Sequence, residues 1–177
     1  MPELRVHEEV VSVDNSTAGT DRDGQVKMFR EAALGLADAA KERRDNMQEK
    51  IARVVEIINR PENKHDYFLL WHDLEAERLE LCKAIPGCKA VYGSQDDEEA
   101  DKVISDFKDG RLKYLAAKPE MLGEGLNFQY HCHKAIMFID YRFNDKFQAI
   151  ARIYRFMQQH PVDLYLVYAE SEGEIFK

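Results

Sequence analysis

Between residues 148 and 158 the chain reads Gln148-Ala-Ile-Ala-Arg152-Ile-Tyr-Arg155-Phe-Met-Gln158. On a helix turning ~100° per residue, Arg152 lies about 40° to one side of Gln148 and Arg155 about 20° to the other, so the three share a face. Two guanidiniums and an amide on one stripe can read a polyphosphate, because the planar Arg fork matches phosphate oxygens bidentately. Ile150, Ile153, Tyr154 and Met157 fall opposite, toward a core. An ordinary amphipathic helix with solvated arginines fits the same spacing, since Arg is a good helix former. A second candidate runs from Ala117 to Phe128 and carries Lys118, Gly123, Gly125 and Asn127 just past an apolar run. Glycine lets backbone approach a phosphate and leaves amides free to donate to it. A simple turn explains the two glycines as well.

The elements around these segments must hold them together. Short apolar runs at Tyr67–Trp71, Lys89–Tyr92, Leu112–Ala117, Lys134–Asp140 and Asp163–Ala169 alternate with helical patterns at Leu74–Ile85, Asp96–Phe107 and Asn144–Gln159. Strands without strict polar alternation, separated by helices, predict a mainly parallel sheet in an α/β domain. Ligands of such sheets sit at the carboxyl ends of the strands, which directs attention to the segments just after Ala117 and Asp140. Ahead of Pro61 the texture differs. Leu4–Val13 reads as a strand or extended arm, Asp14–Gln25 as a mobile loop, and much of Phe29–Asn59 as a long helical segment. The expected division is therefore 1–60 for strand, loop and helical segment, and 61–177 for the α/β domain.

In this order, the two segments resemble motifs V and VI of the Swi/Snf-type branch of superfamily-two helicases. Gly123, Gly125, Leu126, Asn127 and Phe128 match the first; Gln148, Ala149, Arg152, Arg155 and Gln158 match the second. Tyr67-Phe-Leu-Leu-Trp71-His-Asp73 resembles motif IV, and Tyr92-Gly93-Ser94 with its acidic helix resembles the segment that follows it. Leu126-Asn127-Phe128-Gln129-Tyr130-His131-Cys132-His133 is most similar to phage and prophage members. Met157 stands where that family's motif VI has Gly, and Ala117 where it often has a hydroxyl residue. The resemblance implies a RecA-like second motor lobe of an ATP-dependent DNA helicase or translocase. Arg152 and Arg155 would be arginine fingers, with Gln148, Gly123 and Gly125 near the nucleotide and Lys118 and Asn127 on DNA. ATP and Mg²⁺ would be held mainly by a first RecA-like lobe, in the same or a companion chain.

That first lobe is not in this sequence. None of the nine glycines precedes a Lys, so no phosphate-binding loop is present. Asp97-Glu98-Glu99 opens a helical pattern, where the helix dipole explains the acids better than a metal does. The chain alone is expected to hydrolyse nothing appreciable. With 25 Lys and Arg against 33 Asp and Glu, the net charge is −8. That opposes a broad nucleic-acid face and leaves room for a few local contacts. Three cysteines, no apolar leader and no long apolar run predict a reducing cytoplasmic setting, with no disulfide framework and no membrane span. Cys82, Cys88, His131, Cys132 and His133 could ligate zinc, but Cys82-x5-Cys88 is wide for a ligand pair, and no metal is expected. The competing reading is a non-catalytic α/β interaction domain with a motor-like fold.

Overall fold

Phe68 and Leu70 turn to one side of a sheet and Leu69 and Trp71 to the other, and all four are buried. An uninterrupted apolar strand is what burial on both faces demands. The computed structural model describes residues 1–12, 46–122, 125–138 and 148–176. Its strands are β1 (Leu4–Val11), β2 (Tyr67–Trp71), β3 (Lys89–Val91), β4 (Tyr114–Ala117), β5 (Cys132–Phe138) and β6 (Val162–Ala169). They form one sheet in the order β1-β6-β5-β2-β4-β3, with every pairing parallel. The helices are α1 (Met47–Ile58), α2 (Glu75–Ala84) and α3 (Asp97–Lys108). The parallel α/β architecture is the expected one.

Each face has its own core. Met47, Ile51, Val54 and Ile58 recur at helical spacing and pack α1 over Phe68, Ile136, Tyr165 and Val167, with Leu81 and Ile85 beside them. On the other face Val103 and Phe107 of α3 join Leu69, Leu115, Met137, Leu164, Phe128 and Ile153. Lys50, on the buried side of α1, is 1% exposed, and its Nζ lies 2.9 Å from Glu172 in the closing 3₁₀ segment Glu170–Phe176. The other Glu172 oxygen accepts the Ala169 amide at 2.8 Å.

Leu4–Val11 is a paired edge strand rather than a loose arm: it runs in register beside β6 from Leu4↔Val162 to Val11↔Ala169. Arg5 forks onto Asp163 at 2.8 and 2.9 Å, and Glu9 takes Arg53 from the middle of α1 and Arg60 from just past its end. The helical segment expected over Phe29–Asn59 is helical over Met47–Ile58. The rest of it, and the loop expected at Asp14–Gln25, lie outside the described residues.

The helix expected over Asn144–Gln159 is corrected: within its described part, only residues 148–150 are helical. The Ile153 and Tyr154 amides both return to the Ile150 carbonyl, and Met157 takes φ 74, which no α-helix continues through. Met157 consequently faces solvent, 56% exposed, instead of joining Ile153 in the core. Gln158 turns inward, and its Nε2 donates to the Ile153 and Cys132 carbonyls. On α2 Leu79 is exposed and Leu81 is the core residue.

Candidate functional site

Parallel pairing in register brings three strand ends to one place. Trp71 and Val91 both sit opposite Ala117, and the His72 amide donates to the Ala117 carbonyl at 3.2 Å. Just beyond these ends lies a cleft of about 160 Å³ walled by His72, Glu75, Tyr92, Gly93, Lys118 and Met121. The Tyr92-Gly93-Ser94 turn is fixed by Gln95, whose side chain accepts the Tyr92 amide and donates to the Ala90 carbonyl. Glu77 caps α2 by accepting the Leu74 amide at 2.9 Å, so it is a structural carboxylate. Glu75 forms an ion pair with Arg78 and lies 3.9 Å from Lys118 Nζ.

His72 is the residue sequence reasoning passed over. It is 3% exposed, and neither ring nitrogen makes a hydrogen bond of normal geometry among the described residues, the Leu74 backbone being only a weak partner. Burial, then the Lys118 charge, lowers its pKa to about 4, so it is a neutral imidazole at pH 7. Its position was the available signal: a polar residue directly after an entirely apolar strand, at the carboxyl end.

From Lys118 the chain makes the 3₁₀ turn Pro119–Met121 and reaches Leu122. There the two sequence motifs meet. Arg152 Nη2 donates to the Leu122 carbonyl at 3.0 Å, and the Phe128 amide donates to the Arg152 carbonyl at 3.0 Å. Phe128 packs edge-on against Phe107 at 5.1 Å, anchoring that end in the core. Among the described residues neither the buried Arg152 Nε nor Asn127 Oδ1 has a hydrogen-bond partner. The Arg155 side chain is half-buried and makes no hydrogen bond or ion pair among the described residues, and Gln148 is exposed. Gly125 takes φ +82, and a Cβ there would touch nothing within 4 Å, so the backbone conformation is what calls for glycine. Gly123 lies outside the described residues.

The single-stripe geometry inferred from spacing does not hold, because the helix ends before Arg155. Arg152 is instead joined to the Ala117–Phe128 segment by backbone and side chain.

The cysteines do not gather with the histidines. Cys88 belongs to one core and Cys132 to the other, across the sheet. Among the described residues no three His, Cys, Asp or Glu side chains form a metal-holding group. Nor is any described helix long and apolar enough to cross a membrane.

No protein-family model and no curated protein sequence matches the chain. Solved structures do. The C-terminal part of the Fun30 ATPase domain superposes with a TM-score of 0.70 at 10% identity, covering 99% of this chain and 88% of that one. The Dbp5 C-terminal domain of S. cerevisiae, in a variant bound to Gle1 and IP6, gives 0.58 at 15% identity over 74% of this chain and 76% of that one. A longer S. cerevisiae Dbp5 chain gives 0.57 at 18% identity, and there the match spans 35% of its length. The chain shares the RecA-like α/β fold of these neighbours.

Proposed function

We propose that the chain is the second motor lobe of an ATP-dependent DNA helicase or translocase of the Swi/Snf-like branch, similar to phage-borne members. The observation that carries this reading is the Arg152–Leu122 contact. It joins the arginine segment to the strand-end segment whose next residue back, Met121, walls the cleft. A motor lobe needs such a joint, because a change felt at the nucleotide must be felt at the track.

The residues present fit a polyphosphate. Among the described residues Arg155 is uncommitted and the buried Arg152 Nε–H is unpaired, and Gln148 is exposed. Arg152 and Arg155 would reach the γ-phosphate of ATP, with Gln148, Gly123 and Gly125 near the nucleotide. Mg²⁺ and most phosphate contacts would belong to the first RecA-like lobe. ATP supplies a phosphoryl group whose transfer builds negative charge on its oxygens, the charge that arginine fingers offset. Lys118 and Asn127 would hold the DNA backbone, with neutral His72 lining the same cleft. Acting alone, the chain lacks the phosphate-binding loop and would not turn over ATP.

The test is DNA-stimulated ATP hydrolysis by the motor with both lobes, beside DNA binding by this chain across a salt series. A few contacts predict weak binding with a shallow salt slope, and Lys118→Ala should lower that slope by about one. Parental hydrolysis by folded Arg152→Ala and Arg155→Ala variants would leave the non-catalytic interaction domain as the reading. A steep slope, implying many released counterions, would place DNA elsewhere on the chain.

A further inference from the structure

The three thiols divide into a pair and a single. Cys132 is buried in β5, and burial pushes its thiol up to about 12. Cys82 and Cys88 lie on the opposite face of the sheet from it, with their sulfurs 3.8 Å apart. The chain between them reverses tightly. The Ile85 amide returns to Leu81 as α2 ends, Gly87 takes φ +80, and the Cys88 amide donates to the Ile85 carbonyl. That turn lays Cys88 back against the last turn of α2. A disulfide needs its sulfurs at about 2.05 Å, so the two side chains must rotate toward each other to close the remaining gap.

The two thiols are unequal. Cys82 is half-buried and can be reached from solvent, whereas Cys88 is buried. A hydrogen bond from Cys88 draws the Cys82 thiol down to about 7 against the effect of burial, with the Arg78 and Lys89 cations adding to it. The same hydrogen bond, then burial, pushes Cys88 well up. One is an available nucleophile and the other a reserve.

We propose that Cys82 and Cys88 form a redox-modification site, closed to an intramolecular disulfide by a small-molecule disulfide of the glutathione class, with Cys82 attacking and Cys88 resolving. Cys82 Sγ, as thiolate, attacks one sulfur of the small disulfide and expels the other half as a thiolate. The expelled thiolate takes a proton from solvent. Cys88 then loses its proton and attacks Cys82 Sγ in the mixed disulfide, expelling the second half. The two protein thiols lose two protons and two electrons, and the small disulfide gains them as two thiols. The bond would fix the end of α2 to the start of β3. One turn back along α2, Arg78 stacks over Tyr92 at 3.9 Å in the wall of the cleft. The modification thus sits one side chain from the cleft, whatever ligand that cleft takes.

The experiment treats the reduced chain with oxidised glutathione, quenches with acid, and reads intact mass and peptide maps. The parental chain should lose two hydrogens, link the peptides of Cys82 and Cys88, and keep Cys132 free. Cys88→Ser should stop at one glutathione adduct on Cys82, while Cys82→Ser should remain unmodified over the same time. Three free thiols in the treated parent, an adduct on Cys132, or no adduct in Cys88→Ser would overturn the assignment. Melting curves confirm that the variants fold. If a serine variant does not, timed alkylation of the parent decides: iodoacetamide must label Cys82 before Cys88 and Cys132, and another order overturns the proposal.

Discussion

Arg152 grips the Ala117–Phe128 segment twice, with Nη2 on the Leu122 carbonyl and its own carbonyl on the Phe128 amide, each at 3.0 Å. Arg155, three residues on, has no such tie among the described residues. The two arginines resemble one motif in sequence but differ in commitment, and that difference is measurable.

On the proposed reading as a second motor lobe, Arg155→Ala in the motor with both lobes should cut DNA-stimulated hydrolysis by at least about 10²-fold, within the range of arginine fingers, and leave the melting temperature near parental. Arg152→Ala should cut hydrolysis similarly and also lower the melting temperature, since it frees a carbonyl tied to the cleft wall. Arg155→Lys should recover little, because a point charge lacks the forked geometry. Arg111→Ala is the control, a surface arginine paired with Asp106. Equal melting losses for the Arg152 and Arg155 variants would show that the Leu122 contact contributes nothing.

His72 gives a pH dependence of known sign. Its pKa in the folded chain, about 4, lies below the ordinary value of 6.5, so the unfolded chain binds more protons between those pH values. Stability should therefore rise with pH through that window and level off above about 6.5, by an amount on the order of 3 kcal/mol. Urea midpoints of the parent and His72→Gln, compared at each pH, isolate this group from the other titrating side chains. A difference that stays constant from pH 4 to 7 would mean the imidazole is not buried as described.

The Lys50–Glu172 pair should show the cost of an orphaned charge. Lys50→Met leaves the Glu172 carboxylate buried and should destabilise the chain by about 3–5 kcal/mol. Adding Glu172→Gln should recover much of that loss, because the amide oxygen can still accept from Ala169 and no bare charge remains. Urea unfolding of the two singles and the double closes the cycle. A single-variant cost below about 1 kcal/mol would place the pair in solvent.

Met157 occupies a left-handed backbone conformation at φ 74 with its side chain in solvent. Relief of about 1–2 kcal/mol of strain, set against roughly 0.5–1 kcal/mol of extra unfolded-chain entropy for glycine, leaves Met157→Gly about 0.5–1 kcal/mol more stable. Thermal melting reads this directly, and an unchanged or lower midpoint would refute it.

Much of the architecture was legible because two-sided burial writes itself as apolar runs. Tyr67–Trp71 was located to the residue, and β4 and β6 to within two. What stayed hidden has a common cause: side chains whose partners are distant in sequence. Lys50 reads as a solvated residue until Glu172, 122 positions later, folds over it. Gln158 reads as a polar motif residue, yet it is buried, with its Nε2 donating to the Cys132 and Ile153 carbonyls. The apolar period carried the expected helix past its true end, since periodicity cannot register the tighter i→i+3 turns at Ala149 and Ile150 or the left-handed Met157 beyond them. The residue types that could face a nucleotide were visible in order and spacing; the Leu122 contact that joins them was not.

The pairing of β1 with β6 also bears on how the molecule assembles. Arg5 and Asp163, which clasp across it, are 158 residues apart, so this contact sits near the top of the contact-order range for the chain. Closing so long a loop adds an entropic cost that grows as about (3/2)RT ln n, and nothing local rewards it until β5 and β6 are in place. We expect the inner strands to acquire protection first and the β1 amides last, as a separate slow phase in pulse-labelled hydrogen exchange. Simultaneous protection of β1 and β2 would show instead that the sheet condenses in one step. With β1 still unattached, the nascent sheet would expose β6 as a bare edge, the stage at which a folding chain is most open to pairing with another copy.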